Sequence, residues 1–349
     1  MAPKPLPAEY RKLVCVTTAP KFRDAVAIVT VSMPKPGPDE VLVKTHLAGV
    51  NASDVDATSG RYGQASKEFP FDLGFESVGR VVAVGENVDE LQVGAPVATT
   101  SFLKGGAFAE YQCLPAEQAY RLPKLDQQAL PLLVSGLTAA IGLDQQGRIS
   151  AGETVVITAA AGGLGHMAVQ YALAAGCRVV ATCSSDDKLD YLRGLGCRVI
   201  NYHRRHLGDE LDSAHPEGVD VVWETMGGDT FDTLFSKLRP RGRLVVVGAM
   251  QGYLQGKQPF PDAALQNLPY RLFARSTTLA GFLLSDYAHL HREYFGKLYR
   301  MLQDRSLFPM IDVGLNAGGS ELRGVEGCIR GVEYLHSGKS MGKVAVLFD

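Results

Sequence analysis

Val155-Val156-Ile157-Thr158 runs directly into Ala159-Ala160-Ala161-Gly162-Gly163-Leu164-Gly165. An apolar strand that enters a glycine-rich turn, with a helix close behind, has one obvious chemical use. The glycines let the main chain approach a pyrophosphate, and the helix start offers free N–H groups and the positive end of its dipole. The spacing departs from G-x-G-x-x-G, so the turn by itself is weak evidence. Its context strengthens it, because strand, turn, helix and second strand arrive in order.

The end of the second strand selects the dinucleotide. Val179-Val180-Ala181-Thr182-Cys183 leads into Ser184-Ser185-Asp186-Asp187-Lys188. A site for NAD places Asp or Glu there, accepting from the ribose 2′-hydroxyl. Ser184 carries no charge to repel a 2′-phosphate, and Lys188 can supply the counter-charge. The plainer reading is a serine N-cap followed by a solvated lysine, and the two can hold together. Asp186 and Asp187 suit the first turn of a helix, although they bring negative charge near the phosphate. The balance favours NADPH. Tyr202, after Ile200-Asn201, could close over the adenosine phosphate, or be no more than an edge aromatic.

A parallel sheet has to hold these residues. Strands are expected at Glu153–Thr158, Arg178–Thr182, Arg198–Asn201, Val219–Glu224 and Arg243–Val247. Helices are expected at Gly165–Ala175, Asp186–Leu195 and Gly228–Leu238. Such alternation implies right-handed crossovers and a sheet covered on both faces. Asp126–Asp144 has helical spacing interrupted by Gly136, and Tyr287–Leu302 has it again. The first third is different. Short Val/Leu/Ile runs at Leu13–Thr18, Ala25–Val31, Glu40–Val50 and Gly79–Val84 are punctuated by Pro and Gly, which predicts a barrel-like or sandwich-like β domain. The alternating run Lys343–Phe348 is expected to rejoin it.

Two domains suit 349 residues. Lys+Arg number 35 and Asp+Glu 37, a formal charge of −2, which leaves no general basic footprint for nucleic acid. The six Cys have no CxxC spacing, so neither a disulfide scaffold nor a Cys-rich metal lobe is expected. The eight His are dispersed, and His203, His206, His289 and His291 read as solvated or capping residues. The start lacks a signal-peptide core, no apolar run approaches the ~18 residues of a membrane span, and VLFD is no peroxisomal tripeptide. A reduced, soluble, cytoplasmic protein is the expectation.

Asn51-Ala52-Ser53-Asp54, Gly60-Arg61-Tyr62, FPFDLGFE at 69–76, GGAFAEY at 105–111, LVSGLTA at 133–139, TAAAGGLG at 158–165, TCSSDDK at 182–188 and GRLVVVG at 242–248 together resemble the medium-chain dehydrogenase/reductase superfamily, in its zinc-free, quinone-oxidoreductase-like branch. The resemblance runs from about Lys12 to the C-terminus. It implies an α/β chain. A GroES-like β domain would be formed by 1–126 and 304–349, and a doubly wound Rossmann sheet for NADPH by 127–303. It also implies a homodimer joined through Rossmann edge strands, here Thr277–Leu284. A peroxisomal location is left open by the resemblance.

Zinc is not expected. Zinc alcohol dehydrogenases have Cys where this chain has Asn51, and His where Gly74-Phe75-Glu76 has Phe75. The resemblance implies 1,4-reduction of an enone: hydride goes from NADPH to the β-carbon, with 15-oxo-prostaglandins as the substrate class and the 13,14 double bond as the target. Positioning and stabilisation of the enolate oxygen are then the protein's tasks.

By the same resemblance, main-chain N–H groups of Gly163, Leu164 and Gly165 face the pyrophosphate, and Ser184, Lys188 and Tyr202 the 2′-phosphate. Thr225 and Val247 border the ribose. Main-chain groups of Phe282, Leu283 and Leu284 meet the nicotinamide carboxamide, and Asn51 and Thr138 lie near the ring. Asn51 and Tyr253 are the candidate catalytic residues. Tyr253 also counts as cofactor-lining, and Tyr62 and Tyr253 as walls of a pocket for a small enone or lipid. Other readings stay open on this scaffold: a quinone reductase, an enoyl-thioester reductase, or a non-catalytic NADPH-binding protein.

Overall fold

The computed structural model describes residues 5–60, 68–101, 105–250, 252, 266–315 and 319–348. The chain divides into two compact units, Met1–Val134 with Ile311–Asp349, and Ser135–Met310. The division falls a few residues beyond the 126/127 and 303/304 boundaries expected above. Hydrogen bonds explain the difference. Val134 N–H donates to the Glu76 carboxylate at 2.7 Å, so the segment up to 134 stays with the first unit. Phe308 N–H donates to Gln170 Oε1 at 2.7 Å, and Met310 N–H to His166 Nε2 at 3.1 Å, so the segment up to 310 stays with the second.

The first unit is mostly antiparallel β-structure, with two short helices, α1 (Phe22–Ala25) and α2 (Asp54–Ser59). Strands β1 (Glu9–Cys15), β2 (Val26–Ser32) and β4 (Phe71–Asp72) form a small sheet in the order β2-β1-β4. A larger sheet contains β3 (Glu40–Gly49), β5 (Glu76–Val84), β6 (Pro96–Thr100), β7 (Tyr111–Pro115), β8 (Ala119–Arg121), β15 (Ile311–Asp312) and β16 (Lys343–Leu347). Its order is β15-β16-β3-β5-β6-β8, with β7 also on β3. Register slips between β3 and β5 at Leu42/Val43 and Thr45/Leu47, and such bulges bend and twist a sheet into a curl. Val41, Leu42 and Val43 are all buried, so both faces of this curl are covered.

β16 pairs antiparallel with β3, Ala345 opposite Gly49, which ties the last strand to the early ones. Helix Gly324–His336 lies on this sheet. Gly331 and Gly327 let it approach closely: an added Cβ would come within 3.1 Å of Val50 and 2.9 Å of Val346.

The second unit is a six-stranded parallel sheet of β9 (Thr154–Ile157), β10 (Arg178–Cys183), β11 (Arg198–Asn201), β12 (Val219–Glu224), β13 (Leu238–Val246) and β14 (Thr278–Gly281). Its order is β11-β10-β9-β12-β13-β14. Helices α4 (Gly163–Ala174), α5 (Asp186–Gly194), α6 (Leu207–Ala214) and α7 (Gly228–Ser236) make the crossovers. β9 is buried at all four positions, as an inner parallel strand must be. The α/β class and its two architectures, a curled GroES-like sheet and a Rossmann-type parallel sheet, are those the sequence predicts.

Some elements differ. Asp126–Asp144 is not one helix. Pro131 lies in a 3₁₀ turn over Gln127–Leu132, because it has no N–H to continue an α-helix. Helix α3 then covers Val134–Gly142 with Gly136 buried inside it, and a π turn follows over Leu143–Gly147. The edge strand is shorter than Thr277–Leu284, since a 3₁₀ turn begins at Leu284. His291 is buried, not solvated, and its Nε2 lies 3.1 Å from the Leu284 carbonyl.

Candidate functional site

The strand order of the second unit reverses beside β9, whose neighbours β10 and β12 lead away in opposite directions. Ligands of open α/β sheets bind in the crevice outside the carboxyl ends at such a point. Helix α4 starts there. Its N-cap is Gly162, no side chain caps it, and the His166 N–H is bonded to the Gly162 carbonyl at 3.0 Å. The N–H groups of Gly163, Leu164 and Gly165 are thus the first-turn donors that a helix leaves unpaired. Gly165 is required by space. A Cβ there would lie 2.3 Å from Ala159 O and 2.6 Å from Ala160 Cα. Ala159 itself has φ +46°, a left-handed residue that folds the turn back. This cradle fits a dinucleotide pyrophosphate.

Beyond β9 and β12, Thr158 and Thr225 brace one another. Their hydroxyls are 2.9 Å apart, Thr225 N–H donates to Thr158 Oγ1 at 2.8 Å, and Thr158 Oγ1 donates to Trp223 O at 3.2 Å. Val247 follows β13, and its N–H donates to Glu224 O. Glu224 is a residue that sequence reasoning did not single out. Its fully buried carboxylate accepts the N–H groups of Met226 (2.7 Å) and Gly227 (3.0 Å). Burial raises its pKa to about 7 despite those bonds.

At the end of β10, Ser184 and Tyr202 are hydrogen-bonded through their side chains, and Lys188 is buried. Asp186 is turned to other work. Its carboxylate is paired with Arg204 and accepts from Asn201 Nδ2 at 3.1 Å. The negative charge noted in the sequence is therefore partly neutralised within the protein. A lysine bonded to a phosphate is worth ~1.5–3 kcal/mol. Lys188→Ala is accordingly expected to raise the Kd for NADPH about 10–100-fold and to leave that for NADH unchanged. Equal losses for the two in a fluorescence titration would remove Lys188 from the phosphate site.

Thr138 is buried in α3. In the segment after β14, Phe282 N–H is taken by Val246 O, Leu283 O by Asp286 N–H and Leu284 O by His291. Phe282 and Leu284 are buried and Leu283 is exposed. Tyr62 and Tyr253 lie outside the described residues.

In the first unit, Asn51 is part of a buried polar cluster. Its Oδ1 accepts from Lys343 Nζ at 2.6 Å and its Nδ2 donates to Glu76 Oε1 at 3.0 Å. Lys343 and Glu76 form an ion pair, 1% and 0% exposed. Neither Glu76 nor Lys343 was singled out from sequence as a site residue. The available signal was that Lys343 opens the last strand and Glu76 follows the position where zinc enzymes place a His.

Asp54 adjoins the cluster, accepting the Asn51 N–H at 2.8 Å. Burial raises its pKa to about 7, against the opposing effect of that hydrogen bond and of Lys343, with Glu76 adding a little. Folded protein thus keeps this proton up to about pH 7, while the unfolded chain releases it near the ordinary value of 3.8. Stability is expected to fall as pH rises between these two values and to level off above them. Asp54→Asn keeps an acceptor for Asn51 and removes the ionisation. It should gain ~2–4 kcal/mol relative to wild type between pH 5 and pH 8. Urea unfolding at both pH values measures this, and parallel shifts of variant and wild type would contradict it. Glu224 adds a decline of the same sign, so a residual slope is expected in the variant.

Zinc does not fit here. The two ligand positions hold Asn51 and Phe75, and an ammonium lies against the Asn51 oxygen. Among the described residues, no group of three His, Cys, Asp or Glu could hold a metal ion. Among them, too, no helix is long and apolar enough to cross a membrane.

A curled sheet in one unit and a Rossmann sheet with an uncapped glycine-rich turn in the other define a two-part dehydrogenase/reductase class. Residues 37–124 match the alcohol dehydrogenase GroES-like domain, and 163–303 match the zinc-binding dehydrogenase family. The chain is 40% identical to Prostaglandin reductase-3 of Bos taurus, over 98% of this chain and 90% of that protein. It is 35% identical to a probable quinone oxidoreductase of Leishmania amazonensis, over 97% and 98%. A mycobacterial protein, Rv1454c, solved in complex with NADPH, superposes with a TM-score of 0.80 at 26% identity, covering 97% of this chain and 99% of that one. The chain belongs to the medium-chain dehydrogenase/reductase family, in its quinone-oxidoreductase-like group.

Proposed function

We propose that the protein is an NADPH-dependent reductase of the activated C=C bond of α,β-unsaturated ketones, with 15-oxo-prostaglandins as the substrate class. The observation that carries the cofactor choice is the end of β10, where an uncharged Ser184 bonded to Tyr202 stands in the place of an acid, Lys188 follows four residues on, and Asp186 is held by Arg204. Full-length similarity to Prostaglandin reductase-3 supports the substrate class.

When bound, NADPH supplies the hydride that the β-carbon of the enone receives. Gly163, Leu164 and Gly165 would hold the pyrophosphate through main-chain N–H groups, and Thr225 and Val247 would border the ribose. Leu283 and Leu284 would orient the carboxamide, with Phe282 packed on Trp223 at 6.4 Å between ring centres to stiffen the segment. Thr138 and Asn51 would meet the reacting end. Asn51 would donate to the ketone oxygen as negative charge develops there, and Tyr253 is the candidate for a second donor. Tyr62 would line the substrate.

A homodimer through the edge strand β14 is part of the proposal. Tyr270 and Phe273 on the preceding helix Leu268–Arg275 are 69% and 81% exposed, apolar surface that such a contact would cover.

The test follows NADPH oxidation with 15-oxo-prostaglandin E2, beside NADH and a simple quinone, and identifies the product by mass. A 13,14-dihydro product formed with preference for NADPH is the expected result. Turnover of the quinone alone would replace the enone reading. Tight NADPH binding with no turnover would leave a binding role only.

A further inference from the structure

The Asn51 amide is held in one orientation by charge. An ammonium can only donate and a carboxylate can only accept, so the Lys343 bond requires Oδ1 and the Glu76 bond requires Nδ2. Strand register makes the arrangement. The pairing of Ala345 with Gly49 and of Ala48 with Ser77 brings Lys343 across from Asn51, and Glu76 beside Gly49. Glu76 has no room to move away. A Cβ at Gly49 would be 2.4 Å from its Oε1, and its Oε2 is held by the Val134 N–H.

Both bonds act on the amide in the same direction. A cation at Oδ1 and an anion at one Nδ2 hydrogen favour the charge-separated form of the amide, and hydrogen bonds in such a chain strengthen one another. The second Nδ2 hydrogen remains as the donor available to a ligand, and Asn51 is the member of the trio that retains surface, at 8% against 1% and 0%.

We propose that Lys343 and Glu76 are positioning residues that orient and polarise the Asn51 amide, so that its remaining N–H stabilises the charge developing on the substrate's carbonyl oxygen. A fixed ammonium thereby acts through an amide where zinc enzymes use a directly ligated cation. The inference rests on the reading that Asn51 faces that oxygen.

The test compares kcat and KM in Asn51→Ala, in the charge-neutral pair Glu76→Gln/Lys343→Met, and in the triple variant. A whole oxyanion donor is worth ~10²–10³ in kcat, and Asn51→Ala should lose that order. The pair is expected to lose about tenfold in kcat with little change in KM, as a fraction of that donor's worth. The triple variant should be no slower than Asn51→Ala alone. Losses that multiply in the triple variant, or an unaltered kcat in the pair, overturn the inference. A wild-type kcat in Asn51→Ala overturns instead the reading beneath it.

A second readout needs neither substrate nor cofactor. In ¹⁵N-asparagine-labelled protein, the Asn51 side-chain amide should show one downfield, slowly exchanging proton, the one bonded to Glu76. Lys343→Arg should retain this signature and Glu76→Gln/Lys343→Met should lose it. An amide signal unchanged in the pair would also overturn the inference.

Discussion

Lys343→Met is expected to lower the free energy of unfolding by about 3–5 kcal/mol, the cost of leaving one member of a buried ion pair without the other. Glu76 is fully buried, and what remains around it is the Val134 N–H and the Asn51 amide, neutral dipoles that cannot compensate a full charge. The single variant therefore either strands a carboxylate in the core or forces it to take a proton. Glu76→Gln/Lys343→Met removes both charges and keeps side chains of similar length. Replacing a buried pair by neutral groups is often close to neutral, so the double variant should recover most of the loss, to within ~1–2 kcal/mol of wild type. Urea midpoints at constant slope for the two single variants, the double variant and wild type give the coupling directly. A single variant that loses under ~1 kcal/mol would mean that Lys343 is not charged against Glu76 in the folded protein.

Gly165→Ala is expected to raise the Kd for NADPH by ~100-fold or more, since each displaced donor to a charged phosphate forfeits ~1.5–3 kcal/mol. The atoms that a new methyl would meet are main-chain atoms of Ala159 and Ala160, and neither can rotate away. Either the first turn of α4 or the preceding turn must shift. Both carry the geometry on which the N–H groups of Gly163 and Leu164 depend. The overpacking itself should cost ~1–3 kcal/mol of stability. Gly194→Ala, at the end of α5 with nothing within 4 Å of the added carbon, is the control for a glycine lost from a helix. Titration of NADPH fluorescence, with Tm measured alongside, separates the two effects. Wild-type affinity in Gly165→Ala would remove the turn from the cofactor site.

The turn was legible because all its parts are neighbours in the chain. Val155 to Gly165 contains the buried strand, the reversal and the helix start, and the physical requirement for each is local. The place of Ser184 and Lys188 just after β10 was readable for the same reason. Where local reading failed, a specific conflict intervened. The helical spacing of Asp126–Asp144 was real, but Pro131 broke it into a 3₁₀ turn and α3. Thr277–Leu284 read as one apolar strand, but the Leu284 carbonyl is drawn to His291 and the segment turns away after Gly281.

Sequence by itself determined the two architectures and the glycine-rich turn, because strand and helix periods and the space needed by a backbone turn act over a few residues. Tertiary structure decided what surrounds Asn51. Glu76 is 25 residues from it and Lys343 is 292. Only the pairing of β16 with β3 and of β3 with β5 brings them together. Read one at a time, a lysine opening a strand and a glutamate after a phenylalanine are surface charges by default. Burial sets them against each other and the amide between them, with the Val134 N–H on the far oxygen of Glu76, and that is a property of the folded sheet alone.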